Sequence, residues 1–219
     1  MLRNMMRRLR AALALALSLP LLASMAASAL ASAPAETVAD AASFDRWLDK
    51  APARRAEVQD FTAFLAQQGV SGVLPTREIL LNDTSWSECH MDGPYSIAER
   101  AYWPHIVNTL RYIHDEIIPT IGPVQVDSGY RDVGLNRCSG GAAHSAHAQF
   151  YALDLVPVRS IDRSALIERV CVNHARYGAA YHIGLGFYDH ERFHIDSRSF
   201  RQWGSDYHSA TSPCAHIGA

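Results

Sequence analysis

Two stretches of the chain repeat apolar residues at helical spacing. The first extends from about residue 42 to residue 68, and Pro52 is expected to divide it into two helices. The second covers residues 99–119 and has one strongly apolar face, and we expect Pro119 and Gly122 to end it. The apolar positions that define these helices are Phe44, Trp47, Leu48, Val58, Phe61, Phe64, Leu65, Trp103, Ile106, Leu110, Ile113 and Ile117.

The second half of the chain changes to short apolar segments. They predict strands at 124–126, 152–158, 181–188 and 192–196, with a further helix at 161–177. Helices followed by several short strands, without regular strand–helix–strand alternation, indicate an α+β fold. We therefore expect a small antiparallel sheet packed against helices.

The N-terminal residues differ in composition from the rest. Four arginines before residue 11 precede an apolar stretch, Ala11 to Ala23, and small residues follow at 27–31. This is the plan of a cleavable secretory signal peptide, which we place at residues 1–31, with an uncleaved membrane anchor as the alternative. The Ala/Pro/Ser-rich segment 32–41 is expected to be a flexible linker.

Charge and size narrow the classes of function. Without the signal peptide, 16 basic and 22 acidic residues remain, and no basic block would follow a nucleic-acid backbone. We expect one monomeric domain, in which residues 42–122 form an N-terminal helical region packed on a catalytic region, 123–219, with a C-terminal tail. No later segment suits a bilayer, so no membrane insertion is expected after signal cleavage.

The four cysteines form an even set in a chain that we expect to be exported. None belongs to a C-x-x-C pair, which argues against a zinc ribbon and favours two disulfides. Three pairings are possible, of which we favour Cys89–Cys138 and Cys171–Cys214. Buried free thiols are the alternative in a reducing environment.

A carboxylate interrupts the apolar segment from Ala152 to Val158. An ionised Asp154 on a buried strand is costly unless it is paired or binds a metal, so a metal ligand and a hydrogen-bonded structural aspartate are both open. His147 ends a glycine-rich loop seven residues earlier and can converge with Asp154 if the loop leads into the strand. Imidazole and carboxylate are both good zinc ligands.

The segment 189–196 offers a third ligand in either of two ways. His190-Glu191-x-x-His194 matches the H-E-x-x-H pattern, in which a helix places two histidines on one face and the glutamate acts as base. That pattern needs a third ligand downstream, and no glutamate follows Glu191. Alternating apolar and polar residues at 192–196 also fit a strand better. We favour His194 as a strand ligand and keep an H-E-x-x-H protease as an alternative.

Glu191 has the same role in both interpretations. Three protein ligands leave one zinc position open for a water molecule, whose pKa zinc lowers. A carboxylate beside that water takes its proton and passes it to the leaving amine, so Glu191 is the candidate general base. An exposed turn residue is the alternative, given its charged neighbours.

Several short motifs occur in one order along residues 123–204. They are Ser128-Gly-Tyr-Arg131, Asn136, Gly140-Gly-Ala142, Ser145-x-His147, Ala152-x-Asp154, Gly184-x-Gly186-x-Tyr188, His194-x-Asp196 and Arg201-x-Trp203-Gly204. As a set they resemble the zinc D-Ala-D-Ala carboxypeptidases and their relatives among the LAS metallopeptidases, which include the vancomycin-resistance dipeptidases. Residues 32–122 carry no motif of this kind.

The resemblance implies roles for individual residues. His147, Asp154 and His194 match the ligands of one zinc ion per chain, and Glu191 matches the catalytic carboxylate. Arg131 matches the arginine that stabilises the oxyanion or holds the substrate carboxylate, which a fixed guanidinium can do with two hydrogen bonds. A structural ion pair, for example to the adjacent aspartate at position 132, is the alternative for this arginine.

The remaining positions are less constrained. Ser145 either contacts substrate or caps its loop, which we favour, and Tyr130 is a further candidate substrate contact. The family usually has glycine where this chain has Phe150, so we expect the ring to narrow or cover the cleft and alter substrate preference. Asp196 either supports a ligand histidine or faces solvent.

These residues predict a periplasmic or secreted zinc metallopeptidase that acts on peptidoglycan stem peptides, by resemblance a D-Ala-D-Ala carboxypeptidase. Carboxypeptidase, dipeptidase and cross-link endopeptidase differ in how loops close the cleft, so the sequence leaves the bond open. The alternative from another class is a zinc-stabilised, non-catalytic cell-wall-binding or signalling module. Hedgehog-type domains are similar in their zinc site, but the candidate base Glu191 argues against this alternative.

Overall fold

A computed structural model describes residues 40–217 of the chain. The predicted signal peptide at 1–31 lies outside the described residues, and so does the predicted linker at 32–41 apart from its last two residues. Asp40 caps the first helix, because its side chain accepts a hydrogen bond from the backbone N–H of Ser43. Within the described part of the chain, no helix has the length and apolar character needed to cross a membrane.

The first predicted helical stretch forms helices α1 (Ala41–Asp49) and α2 (Ala53–Gln67). Pro52 separates them and is the N-cap residue of α2, a place where its missing N–H costs no helical hydrogen bond. A one-turn helix, α3 (Thr76–Ile79), follows α2 in the chain. Both long helices contribute apolar side chains to the core.

The second predicted stretch begins as helix α4 (Trp103–Tyr112) and continues through a π-helical turn (Ile113–Ile117) into α5 (Ile118–Ile121). The prediction that Pro119 ends this helix is wrong. Pro119 lies inside this continuous helix, directly after the π-helical turn, where the regular hydrogen-bond pattern is already interrupted. The helix ends at Gly122, whose φ of 88° favours glycine.

The sheet has five strands in the order β1-β2-β4-β3-β5. Neighbouring strands are antiparallel except β3 and β5, which run parallel. The predicted α+β fold is confirmed, but β5 was not predicted, because three residues are too few for a recognisable pattern. The strands are β1 (Val124–Ser128), β2 (Ala152–Pro157), β3 (Gly184–Phe187), β4 (Phe193–Asp196) and β5 (Arg201–Trp203).

The two faces of the sheet differ in chemistry. Leu155, Phe193 and Ile195 are fully buried and belong to the apolar core that the helices share. Side chains alternate along a strand, so Asp154 and His194 point to the opposite face. Strand pairing places these two residues directly opposite each other on β2 and β4.

Two disulfides fasten the loops around the sheet. Cys89 is bonded to Cys138, the last residue of helix α6 (Val133–Cys138). Cys171, in helix α7 (Arg163–Asn173), is bonded to Cys214 near the C-terminus. This is the pairing favoured from the sequence. A second π-helical turn, at 174–178, follows α7.

Phe150 does not line the cleft, contrary to the expectation from the sequence. Its ring is fully buried and packs against the rings of Phe61 and Tyr130, with centroid distances of 5.8 and 5.7 Å. It ends a 3-10 turn (His147–Gln149) in the left-handed conformation, with φ 58°. Glycine adopts this conformation without strain, which explains why it suits the position. In this chain the backbone strain at Phe150 is offset by the packing of its ring.

Substituting Phe150 separates these two effects. We expect Phe150→Ala to lower the free energy of unfolding by about 3–5 kcal/mol, because it removes a buried ring and keeps a Cβ in the left-handed region. Phe150→Gly loses the same ring but relieves the strain, so it should be about 1 kcal/mol more stable than the alanine variant. Urea unfolding measures both. An alanine variant more stable than the glycine variant contradicts the strain argument.

Candidate metal centre

Three side chains converge on the polar face of the sheet. Asp154 Oδ1 lies 3.0 Å from His194 Nδ1 and 3.2 Å from His147 Nε2, and the two nitrogens are 3.1 Å apart. All three residues are buried. Two tetrahedral zinc ligands at about 2.0–2.1 Å are separated by about 3.3 Å, so these spacings fit one zinc ion with a fourth position free.

The orientation of His147 is fixed by a backbone carbonyl. Its Nδ1 lies 2.7 Å from the carbonyl oxygen of Gly129, in the turn that follows β1. A carbonyl only accepts hydrogen bonds, so Nδ1 carries the proton and Nε2 presents a lone pair to Asp154 and His194. Burial lowers the pKa of His147 below its usual value, which favours this neutral ring.

The ring of His194 is fixed by Asp196, two residues along the same strand. Its Nε2 lies 2.8 Å from Asp196 Oδ2, which leaves Nδ1 facing the cluster. Asp196 is fully buried, and Arg201 holds both of its oxygens at 2.7 and 3.0 Å. The structure therefore resolves the alternatives for Asp196: it supports a histidine of the cluster and does not face solvent.

The cluster requires a positive charge. Burial would raise the pKa of Asp154, but the two imidazoles hold that pKa well below its usual value, so the carboxylate is ionised. With Nδ1 of His147 and Nε2 of His194 both donating elsewhere, three lone pairs converge within 3.2 Å. Burial lowers the pKa of His194, but Asp154 and Asp196 raise it more. A proton on His194 or a metal cation therefore neutralises the site.

Glycines on β3 make room for side chains that line the cluster. A Cβ on Gly186 would lie 2.0 Å from the ring of Trp203, which packs 5.2 Å from the ring of His194. A Cβ on Gly184 would lie 2.3 Å from Arg201 Nη1. The motifs Gly-x-Gly and Arg-x-Trp-Gly thus describe one contact between β3 and β5. Trp203 and Arg201 could not occupy these positions beside larger residues.

Tyr188 adds a hydrogen bond to the buried carboxylate. Its hydroxyl donates to Asp154 Oδ1 over 3.1 Å. Burial and the nearby Asp154 charge raise the pKa of Tyr188, so the phenol keeps its proton. The tyrosine belongs to the Gly184-to-Tyr188 motif, but the sequence did not indicate this contact.

Arg131 lies in the same cleft, which has a volume of about 350 Å³. Its Nη1 is 3.1 Å from Asp83 Oδ2, and each side chain is 10% exposed. The partner suggested from the sequence, Asp132, is wrong: Asp132 instead caps α6 by accepting from the N–H of Leu135. Asp83 was missed because it lies in a loop where nothing distinguishes it from other acidic residues.

Two candidate substrate contacts have different positions. Ser145 lines the cleft, and its hydroxyl oxygen accepts a hydrogen bond from the backbone N–H of His147 at 3.2 Å, a contact of the loop-capping kind. Tyr130 is 8% exposed, packs edge-on against Phe150 and is not among the residues that line the cleft. Contact between Tyr130 and substrate stays a prediction.

The two residues of the H-E pair lie away from the cluster. His190 and Glu191 are exposed in the turn between β3 and β4, and His190 has a positive φ of 61°. The helix that an H-E-x-x-H site requires is replaced by a turn and a strand. Glu191 lines a neighbouring depression that shares Tyr188 and Arg192 with the cleft. Within residues 40–217, Glu191 forms no ion pair.

Comparison with known proteins identifies a family. The sequence model of the family described as Peptidase M15 matches residues 75–196, more than half of the 219 residues. The match begins well before the first motif found in the sequence, Ser128-Gly-Tyr-Arg131, and includes the loop of Asp83. No curated protein and no solved structure gives a significant match.

Substitutions at the cluster test its ligands. Asp154→Ala should release zinc, because it removes one of three donors and leaves two neutral imidazoles. His190→Ala, an exposed residue in the same region, should leave the zinc content unchanged. Elemental analysis of the two purified variants after dialysis measures the difference. Zinc retained by the Asp154 variant and lost by the His190 variant would restore the H-E-x-x-H arrangement.

Proposed function

The chain belongs to the peptidase M15 family, and on that premise we propose that it is an exported zinc metallopeptidase that hydrolyses peptidoglycan stem peptides. The observation that carries the proposal is the buried set of His147, Asp154 and His194, whose ligand atoms all lie within 4.8 Å of one another. Two nitrogens and one carboxylate oxygen, with one open position, form the donor set of a catalytic zinc site.

The donor set fits zinc because each of the two histidine rings is held by a hydrogen bond to its second nitrogen. Gly129 holds His147 through Nδ1, and Asp196 holds His194 through Nε2. Supports of this kind orient the rings and increase their basicity. Bound zinc would supply a Lewis acid that activates water and polarises the scissile carbonyl. The surrounding residues then have to bind the peptide, stabilise negative charge and move one proton.

Arg131 is suited to stabilise negative charge on the substrate. Its guanidinium lines the cleft beside the cluster and keeps donors that are not used by Asp83. A fixed cationic donor in a partly desolvated cleft stabilises an oxyanion or holds the carboxylate of the substrate. By resemblance, we propose a D-Ala-D-Ala carboxypeptidase-like preference for bonds next to D-alanine.

Glu191 is the proposed general base. Its support is its position in the chain, three residues before His194, and its place in the turn that leads into β4. The carboxylate lines the depression beside the cleft, so the β3–β4 turn has to bring it towards the cluster when substrate binds. Turns that complete a catalytic site on substrate binding are common in hydrolases.

Export is supported by two separate features. The basic and apolar N-terminal sequence has the plan of a signal peptide. The disulfides Cys89–Cys138 and Cys171–Cys214 are of a kind that persists in oxidising compartments. A periplasmic or secreted location places the protein with peptidoglycan, its proposed partner. We propose that it acts there as a monomer, without nucleic acid or a membrane anchor.

One observation favours a second candidate function. The Glu191 carboxylate is exposed and lies outside the cleft that contains the cluster. A protein with the same zinc ligands and no base in place would be a zinc-stabilised cell-wall-binding or signalling module. The two candidates differ in whether stem peptides are cut or only bound.

Incubation of purified muropeptides with the zinc-loaded protein, followed by mass spectrometry, separates these candidates. We expect a new product that disappears after treatment with a chelator and returns when zinc is added. Loss of a terminal alanine identifies a carboxypeptidase, and two larger fragments identify an endopeptidase. Binding without any chelator-sensitive product would establish the binding module.

Glu191→Gln tests the base directly. The variant should retain zinc but hydrolyse muropeptides about 10²–10⁴-fold more slowly, because the amide cannot accept a proton. Asp189→Asn, an exposed carboxylate in the same turn, is the matched control and should keep full activity. Turnover of the glutamine variant at the unmodified rate would reject Glu191 as the base.

A further inference from the structure

The residue that faces Arg131 comes from a part of the chain without predicted chemistry. Asp83 follows α3 in a loop that extends to about residue 92, more than forty positions before Arg131. Both side chains are 10% exposed, and Asp83 Oδ2 lies 3.1 Å from Arg131 Nη1. The N-terminal region therefore contributes a charged group to the cleft.

Asp83 is itself firmly held. Its Oδ1 accepts the backbone N–H of Ser85 at 2.9 Å, which leaves Oδ2 for the guanidinium. The preceding Asn82 is fully buried, and its carbonyl oxygen accepts hydrogen bonds from the Ser128 hydroxyl at 2.7 Å and the Gly129 N–H at 2.8 Å. These bonds tie the Asp83 loop to the turn that carries Arg131. The Cys89–Cys138 disulfide closes the same loop onto α6.

The guanidinium of Arg131 has no other ion-pair partner among residues 40–217. Its Nε is buried and lacks an acceptor. A buried N–H without a partner is unusual in a folded protein. Asp83 is thus the charged contact that fixes where this flexible side chain points, since an arginine has several rotatable bonds.

Arg201 of the same cleft provides a comparison. Arg201 pairs with Asp196, and that pair supports the ring of His194. Asp83 and Arg131 have no hydrogen bond to the side chains of the cluster. Their pair lines the cleft instead, where an incoming peptide must pass. We therefore expect loss of the Asp83–Arg131 pair to change substrate hydrolysis and to leave zinc binding unchanged.

We infer that Asp83 is a positioning residue, which holds the Arg131 guanidinium in the orientation that meets the substrate. This inference rests on the proposed peptidase function. It assigns part of the N-terminal region to the site, and it predicts that Asp83 affects hydrolysis only through Arg131. A purely structural ion pair would change stability and leave the kinetic effect independent of Arg131.

A double-mutant cycle in kcat/KM tests the inference with the zinc-loaded protein and a stem peptide as probe. Asp83→Asn should lower kcat/KM by about 10- to 100-fold, the effect of a misplaced positioning group, with unchanged zinc content. In the Arg131→Ala background the same substitution should cause no further loss, because residues that act as a unit are not additive. Asp92→Asn, in the same loop and exposed, is the control and should match the unmodified protein.

Two results would overturn the role of Asp83. One is activity of Asp83→Asn within twofold of the unmodified protein, and the other is an equal loss with and without Arg131. If the asparagine variant does not fold, Asp83→Glu takes its place: it keeps the charge but displaces the guanidinium, and full activity would reject the role. If the unmodified protein does not hydrolyse the peptide, the proposed function fails separately, and the cycle is then measured as affinity for the intact peptide.

Discussion

The pairing of β2 with β4 is the constraint on which the site depends. It places Asp154 opposite His194 on one face of a sheet whose other face is the apolar core. A shift of one residue would turn both side chains into that core, where an ionised carboxylate is prohibitively costly. Burial of the apolar face therefore fixes the register of β2 and β4. That register in turn sets the positions of Asp154 and His194 on the polar face.

The orientation of the two histidine rings follows from hydrogen bonds to residues that surround the cluster. A backbone carbonyl selects the free nitrogen of His147, and a buried aspartate selects that of His194. Asp196 in turn depends on Arg201, which reaches it across Gly184 because a side chain at that position would block the way. Five strands, three of them only three or four residues long, thus support one cluster.

The helical region before the sheet takes part in the cleft and does not only cover the core. Asn82 is bonded to the start of the turn that carries Arg131, and Asp83 meets that arginine directly. The family match extends through this region. By contrast, the carboxylate proposed as base is not among the residues that line this cleft and lies in an exposed turn. The cluster and the Asp83–Arg131 pair are thus held by hydrogen bonds and ion pairs, whereas the proposed base lies in an exposed turn.

The sequence by itself determined the long helices and four of the five strands, because apolar periodicity is a local property. The resemblance carried by the ordered motifs is what implied that His147, Asp154 and His194 form one cluster. The sequence did not determine which way those rings point or the partner of Arg131. It also misplaced the ring of Phe150, whose neighbours in the core come from distant segments. Helices α4 and α5 and strand β1 lie between Asp83 and Arg131 in the sequence, and only the folded chain brings their charges together.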